Sequence, residues 1–204
     1  MIRGAETSIA VKDANRRHPN RGVDSMAIER PKHDLRSTVR AGASAKSPPP
    51  FRAVGVAALP VEVREYCGLD RIDFADVVSV EGGPSRTAES WARTILGDVP
   101  NLPEILIWQV AFRGRLDRRR SRDLVAGWRI THRDDHRISL ETPSSVLSLR
   151  VIVTAVDKRV ESITCVRFDT TRGKVIWKVI EPLHGFAVPR MVAKGLASAT
   201  REDS

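Results

Sequence analysis

The residues that could do chemistry in this chain are few, and two of them lie on its last predicted helix. Trp177 and His184 are seven positions apart, so a helix carries them on nearly the same face. If that face meets a sheet, both side chains line a pocket, with His184 as a polar group in an apolar wall. An imidazole exchanges protons near neutral pH, which makes His184 the candidate general acid or base if the protein is an enzyme. In the alternative interpretation, Trp177 packs in the core and His184 is a helical histidine whose polar atoms are satisfied.

A cluster of arginines lies between residues 113 and 123, and its members are Arg113, Arg115, Arg118, Arg119, Arg120 and Arg122. Such a cluster can bind phosphate or acidic lipid headgroups, or it is simply a solvated loop. It lacks the interleaved aromatic residues of a single-strand nucleic-acid platform and matches no nucleic-acid motif. We therefore expect no specific nucleic-acid partner.

No metal or cofactor motif is present. His132 and His136 are four apart, but a predicted strand end and turn separate them, which does not suit a zinc site. Cys67 and Cys165 lie in unrelated sequence contexts without the Cys-x-x-Cys spacing of a redox or metal site. The Gly-Gly-Pro turn at 82–84 lacks the Lys-Ser/Thr of a phosphate-binding loop. We therefore predict no metal, no cofactor and no catalytic residue, except His184 if the protein is an enzyme.

Charge and composition divide the chain into two parts. The 204 residues carry a net charge of +9, and residues 1–50 hold ten bases and five acids but no aromatic residue. Such a segment buries too little apolar surface to fold, so we predict a disordered basic tail over 1–50, weakly attracted to anionic surfaces. Translation starting at Met26 is an alternative that would shorten this tail. Residues 51–204 are predicted to form a single domain.

The lengths of the apolar runs and the number of cysteines indicate where in the cell the protein is expected. No apolar run approaches the ~20 residues of a membrane-spanning helix. Two cysteines do not make a disulfide framework, so a reducing cytoplasm is the expected compartment.

Periodicity predicts the order of the elements. Residues 73–80 form a first strand, and Thr87 and Asn101 cap two short helices that follow it. After the charged loop, alternating stretches bring the total to about five strands, with short connections that make neighbours antiparallel. The last element is a long helix from Lys174 to about Ala199, with kinks or a break expected at Pro182 and Pro189. Its apolar side is predicted to comprise Val175, Val179, Leu183, Phe186, Met191 and Leu196.

This order predicts an α+β fold in which the long C-terminal helix covers one face of a curved antiparallel sheet. Four stretches carry a resemblance to a known superfamily: Gly-Leu-Asp-Arg-Ile-Asp-Phe-Ala-Asp at 68–76, Arg-Thr-Ala-Glu-Ser-Trp-Ala at 86–92, Ala-Gly-Trp-Arg-Ile at 126–130 and Lys-Val-Ile-Trp-Lys-Val-Ile-Glu-Pro-Leu-His at 174–184. With them, the chain resembles an uncharacterised bacterial branch of the START-like, birch-allergen-type superfamily, also called SRPBCC. The resemblance implies the helix-grip fold, a curved antiparallel sheet wrapped around a long C-terminal helix with two short helices after the first strand. It implies no activity, because the superfamily includes lipid carriers, cyclases, receptors and oxygenase domains.

Three functions are open at this point. The first is binding of a small hydrophobic ligand, lipid or polyketide-like, in a cavity between the sheet and the C-terminal helix. The second is a cyclase-like enzyme that uses His184, and the third is a structural or partner-binding domain whose cavity is filled by its own side chains. The ligand-binding residues predicted for the first function are Trp128, Ile130, Leu140, Leu149, Val151, Val153, Phe168, Trp177, Ile180 and His184.

Overall fold

The computed structural model describes residues 49–203. The predicted tail over 1–50, with Met26, lies outside the described residues apart from its last two positions. The strands are β1 (Phe51–Val54), β2 (Phe74–Glu81), β3 (Leu124–Val125), β4 (Trp128–Arg133), β5 (Arg137–Thr142), β6 (Leu147–Val156) and β7 (Arg159–Phe168). The helices are α1 (Val61–Tyr66), α2 (Ala88–Leu96), α3 (Leu102–Leu106) and α4 (Thr171–Glu202), with a 3-10 turn at Val56–Ala58 and a π-helical turn at Ile107–Ala111.

The strands form one antiparallel curved sheet in the order β1-β2-β7-β6-β5-β4-β3. The predicted α+β class, with an antiparallel sheet and a long C-terminal helix, is confirmed. The predicted count of about five strands is wrong, because the described part of the chain holds seven. The two extra strands, β1 and β3, have four and two residues. Such short strands give almost no alternating pattern to detect.

The β6–β7 hairpin decides which side chains face each side of the sheet. Asp157 and Lys158 both have positive φ, 48° and 64°, which suits a tight two-residue hairpin turn. The ladder runs without a shift from Val156↔Arg159 to Leu147↔Phe168. Since side chains alternate along a strand, the β7 residues 160, 162, 164 and 166 face one side, and 163 and 165 face the other.

Each face of the sheet has its own core. On the face that carries α2, the π turn and α4, the larger core includes Trp91, Trp108, Trp128 and Trp177. On the opposite face, the residues before β2 and on α1 cover a smaller core that includes Val63, Ile152, Ile163 and both cysteines. A sheet covered on both faces explains why five successive residues of β7, 162–166, are all buried.

Helix α4 starts close to the sheet. The Thr170 hydroxyl caps it by accepting a hydrogen bond from the Gly173 N–H at 3.0 Å. Gly173 is buried, and a Cβ there would lie 2.1 Å from the Val146 carbonyl oxygen, so only glycine permits this approach. The helix then runs without a break to Glu202, with Pro182 and Pro189 inside it.

The predicted apolar side of α4 is wrong over its first half. Val175, Val179, Leu183 and Phe186 are exposed, and the helix instead buries the side that carries Trp177, together with Val192, Leu196 and Ala199. The reason is that one aromatic ring buries far more area than a valine, so the Trp177 side outweighs the more regular aliphatic one. None of the helices within residues 49–203 combines the length and apolarity needed to cross a membrane.

Candidate functional site

A cavity of about 480 Å³ lies between the sheet, the α2–α3 segment and α4. Its floor comes from β4, β6 and β7, and one wall comes from residues 180–191 of α4. Asn101, Pro103 and Leu183 line it and are exposed, which places the opening between the start of α3 and the middle of α4. The volume falls within the usual range of small-molecule sites, about 300–1,000 Å³.

The structure brings six of the ten predicted ligand-binding residues to this cavity. They are Trp128, Leu149, Val151, Trp177, Ile180 and His184. The seven-residue spacing of Trp177 and His184 does place both on the sheet side of α4, with ring centroids 5.3 Å apart.

The other four predicted residues lie elsewhere. Leu140 and Val153 are fully buried in the larger core, because α2 packs over β5 and β6 and closes that end of the sheet. Ile130 and Phe168 pack against the edge of the same core and are only partly buried. Alternation placed these side chains on the correct face but could not show which part of that face α2 covers.

Aromatic rings form much of the cavity wall. Trp108 contacts both Phe112 and Trp128 at centroid distances of 4.9 Å, and the Trp108–Trp128 pair is edge-to-face. Trp177 lies 5.0 Å from Phe74 and 6.4 Å from Phe112. Such a wall offers flat apolar surface, with the tilted and edge-on geometries that aromatic pairs prefer.

The π-helical turn positions two of these rings. Asn101 and Glu104 form a capping box that starts α3, and the helix then widens so that the Phe112 N–H donates to the Ile107 carbonyl. This widening directs Trp108 and Phe112 into the core, where they are 5% and 2% exposed. Burial raises the pKa of the Glu104 carboxyl above its ordinary value, although hydrogen bonds from Asn101 oppose the shift.

A charged corner lies beside the cavity at His184. Asp76 on β2 has a side chain only 1% exposed, and Arg52 on β1 binds it through Nε–Oδ1 at 3.0 Å and Nη2–Oδ2 at 2.9 Å. His184 Nε2 lies 3.2 Å from Asp76 Oδ2, at an angle too poor for a hydrogen bond. A buried carboxylate thus lies between a guanidinium and an imidazole, which offsets the cost of its burial.

The surroundings of Asp76 set its protonation. Burial by itself raises the pKa of the carboxyl, but His184 and Arg52 outweigh this effect and hold the pKa below its ordinary value. Asp76 is therefore an anion at neutral pH. The His184 imidazole therefore lies beside a fixed negative charge at the cavity wall.

Three further polar side chains belong to this region. Ser162 and Thr164 on β7 line the cavity and are 3% and 2% exposed. The indole N–H of Trp177 is buried and has no hydrogen-bond partner within residues 49–203. An unpaired buried donor costs about 1–3 kcal/mol, so a ligand or water oxygen that reached it would be stabilised.

Sequence reasoning missed Asp76 and the residues of the α2–α3 segment. Asp76 did carry a signal, because a carboxylate inside an apolar strand is unusual unless it has a partner. Trp108 and Phe112 are four residues apart, which is typical of one helix face, but nothing in that spacing shows that they face the same space as Trp177. Their meeting depends on the long-range folding of the chain.

The cysteines are closer together than their sequence contexts indicated. Although their sequence contexts are unrelated, Cys67 and Cys165 lie in the same small core. The interaction between the two thiols lowers the pKa of Cys67, whereas this interaction and burial together raise the pKa of Cys165. Both are buried free thiols on the face opposite the cavity, so they take no part in this site.

The arginine cluster is partly paired. Arg119 pairs with Asp117 and Arg120 with Asp98. His132, near the end of β4, contacts Asp134 at 2.8 Å, and no group of three metal-ligating side chains occurs in the described part of the chain. The cavity is therefore the candidate site, because it combines a concave apolar surface with the polar side chains of His184, Ser162 and Thr164.

The candidate site is thus a mainly apolar cavity with one charged corner, and it lies between an antiparallel sheet and a long helix. The profile of the family described as "Protein of unknown function (DUF2867)" matches residues 68–191, and the chain belongs to that family. No curated protein matches it. Among solved structures, the chain is similar to CalU16 from Micromonospora echinospora, with 9% identity over 74% of this chain and 98% of that one. The TM-score is 0.25, too low to support an argument about fold or function.

Proposed function

We propose that the protein binds a small hydrophobic ligand, lipid or polyketide-like, in the cavity between the sheet and α4. The observation that carries the proposal is a cavity of about 480 Å³ whose lining is dominated by aliphatic and aromatic side chains. A ligand that enters it gains roughly 25 cal/mol per Å² of apolar surface buried, less the cost of its lost freedom. The long helix across a seven-stranded antiparallel sheet supports the helix-grip assignment, and with it the START-like superfamily.

Native mass spectrometry of the full chain tests this proposal. We expect the wild-type protein purified from a bacterial host to carry a lipid-sized or metabolite-sized mass. Ala187 lines the cavity, whereas Ala197 on the same helix is exposed and away from it. We therefore expect Ala187→Phe to lose the bound mass and Ala197→Phe to keep it. A wild-type protein that is free of ligand, and whose melting temperature does not shift across a lipid and polyketide-like panel, would contradict the proposal.

A second candidate is a cyclase-like enzyme, favoured by the position of His184 beside Asp76 in the cavity wall. The first step of such chemistry is removal of a proton from a carbon next to a carbonyl group, with the proton passing to the imidazole. Nuclear magnetic resonance can follow deuterium exchange at that carbon of 2-tetralone in heavy water. We expect wild-type protein to accelerate the exchange and His184→Gln to abolish the acceleration. Exchange no faster than in buffer alone would contradict the cyclase-like function and leave ligand binding as the one proposed function.

The third function, a domain whose interior is filled by its own side chains, predicts no internal void. The cavity counts against it.

A further inference from the structure

The outward side of α4 carries a row of apolar side chains. Val175, Val179, Leu183 and Phe186 are 58%, 76%, 54% and 56% exposed. Spacings of four, four and three residues place them along one side of the helix, and we call this row the α4 ridge. Four large apolar side chains exposed together on one helix are unusual for a surface that faces only water.

Basic side chains flank the α4 ridge. They are Arg172, Lys174, Lys178 and Arg190, all exposed, and none forms an ion pair with another residue of the described range. Arg190 lies over the Phe186 ring, with its guanidinium carbon 3.3 Å from the ring centroid. The one acid along this stretch of helix is Glu181. The α4 ridge therefore combines apolar side chains with a net positive charge, from four bases and one acid.

We propose that the α4 ridge docks the protein on the surface of a bilayer that contains anionic phospholipid. In such a complex, α4 lies in the plane of the membrane, its apolar row enters the headgroup boundary and the flanking bases contact lipid phosphates. The helix does not span the bilayer, in keeping with its low apolarity. Docking needs only the ridge and the bases, so it stands independently of the proposed ligand.

The charge pattern selects a membrane over a second copy of the chain. Two copies joined through this row would bring the basic flanks together and repel one another. An anionic lipid surface instead attracts all four bases. Leu183 belongs both to the α4 ridge and to the cavity lining, so a docked protein holds the cavity opening next to the lipid.

Vesicle co-sedimentation of the full chain tests the proposal. The two probes are vesicles of equimolar phosphatidylcholine and phosphatidylglycerol, and vesicles of phosphatidylcholine alone. We expect wild-type protein to bind the first and not the second. Each base near the surface contributes about fivefold to partitioning, so the double variant Arg172→Gln, Lys178→Gln should bind about thirtyfold more weakly.

A charge placed within the α4 ridge gives the sharper comparison. Val179→Asp should reduce binding at least tenfold, whereas Val61→Asp, on an α1 side chain that is 66% exposed and lies on the opposite face of the sheet, should leave it unchanged. Both positions are exposed, so both variants should keep the wild-type unfolding midpoint. The basic segment 1–50 is present in every variant, and binding through it would not distinguish the two.

Three results would overturn the proposal. The first is equal vesicle binding by Val179→Asp and Val61→Asp, and the second is no binding of anionic vesicles by the wild type. The third is a dimer in light scattering that Val179→Asp converts to a monomer while vesicle binding is unchanged, since it would assign the α4 ridge to a second copy of the chain.

Discussion

Replacing Asp76 by alanine removes the carboxylate that joins β1, β2 and α4. Arg52 then loses its three hydrogen bonds to Asp76, and His184 loses its neighbouring charge. Breaking a buried ion pair by deleting one partner costs about 3–5 kcal/mol. The Arg52 side chain is 30% exposed and can partly rehydrate, so we expect a loss near the lower end, about 3 kcal/mol. For a chain of this size, that loss lowers the melting temperature by roughly 6–12 °C.

Urea unfolding followed by tryptophan fluorescence measures this loss at neutral pH. The matched control is Glu81→Gln, because the Glu81–Arg159 pair is exposed on both sides and is worth at most about 1 kcal/mol. The reasoning would be refuted if Asp76→Ala unfolded at the same urea concentration as the control.

The same residue gives a pH dependence whose sign can be worked out. The pKa of Asp76 in the folded protein is below its ordinary value, so the stabilisation is fully present above about pH 4. It is lost as the pH falls through the folded-state pKa. The stability gap between wild type and Asp76→Asn should therefore narrow across the acid range below about pH 4. A gap of constant size across that range would show that the charge of Asp76 contributes nothing.

Four further substitutions test other parts of the structure by the same unfolding measurement. Leu196→Ala should lower the free energy of unfolding by about 2–5 kcal/mol, because the side chain is 3% exposed. Leu183→Ala, at a side chain that is 54% exposed, should lower it by less than about 1 kcal/mol. Equal losses would mean that α4 buries the other side. Gly173→Ala should cost at least about 2 kcal/mol, since the new Cβ would overlap the Val146 carbonyl, and a wild-type midpoint would refute that close approach. Trp177→Phe should cost less than about 2 kcal/mol because the lost indole N–H has no partner, and a larger loss would show that the N–H is hydrogen-bonded.

The fold class could be predicted because most of its elements have strong local signals. The alternation in β6 and β7 and the Asp157-Lys158 turn specify that hairpin without any distant contact. The edge strands could not be found this way, because β1 and β3 are too short for a period-2 pattern. Their pairing depends on the strands beside them.

The orientation of α4 shows the limit of periodicity. Its first half offers two possible buried sides, one with the regular valine row and one with Trp177 and His184. Which side of α4 is buried depends on the groups that the sheet places against the helix, namely the Phe74 ring and the Asp76 carboxylate. Those groups come from a strand about a hundred residues earlier in the chain. For the same reason, the site could be predicted for α4 and the sheet but not for α3 and the π turn.

The most direct measurement is the location of a bound ligand. A medium-chain fatty acid that carries an aliphatic diazirine can be photolysed with the full chain, and the labelled residues can be identified by mass spectrometry. We expect labels on cavity residues of α4 such as Ile180, Val188 and Met191, and we expect excess unlabelled fatty acid and Ala187→Phe each to remove them. Labels confined to Val175 and Val179 on the outer side of α4, or labels that Ala187→Phe leaves unchanged, would contradict a ligand held between the helix and the sheet.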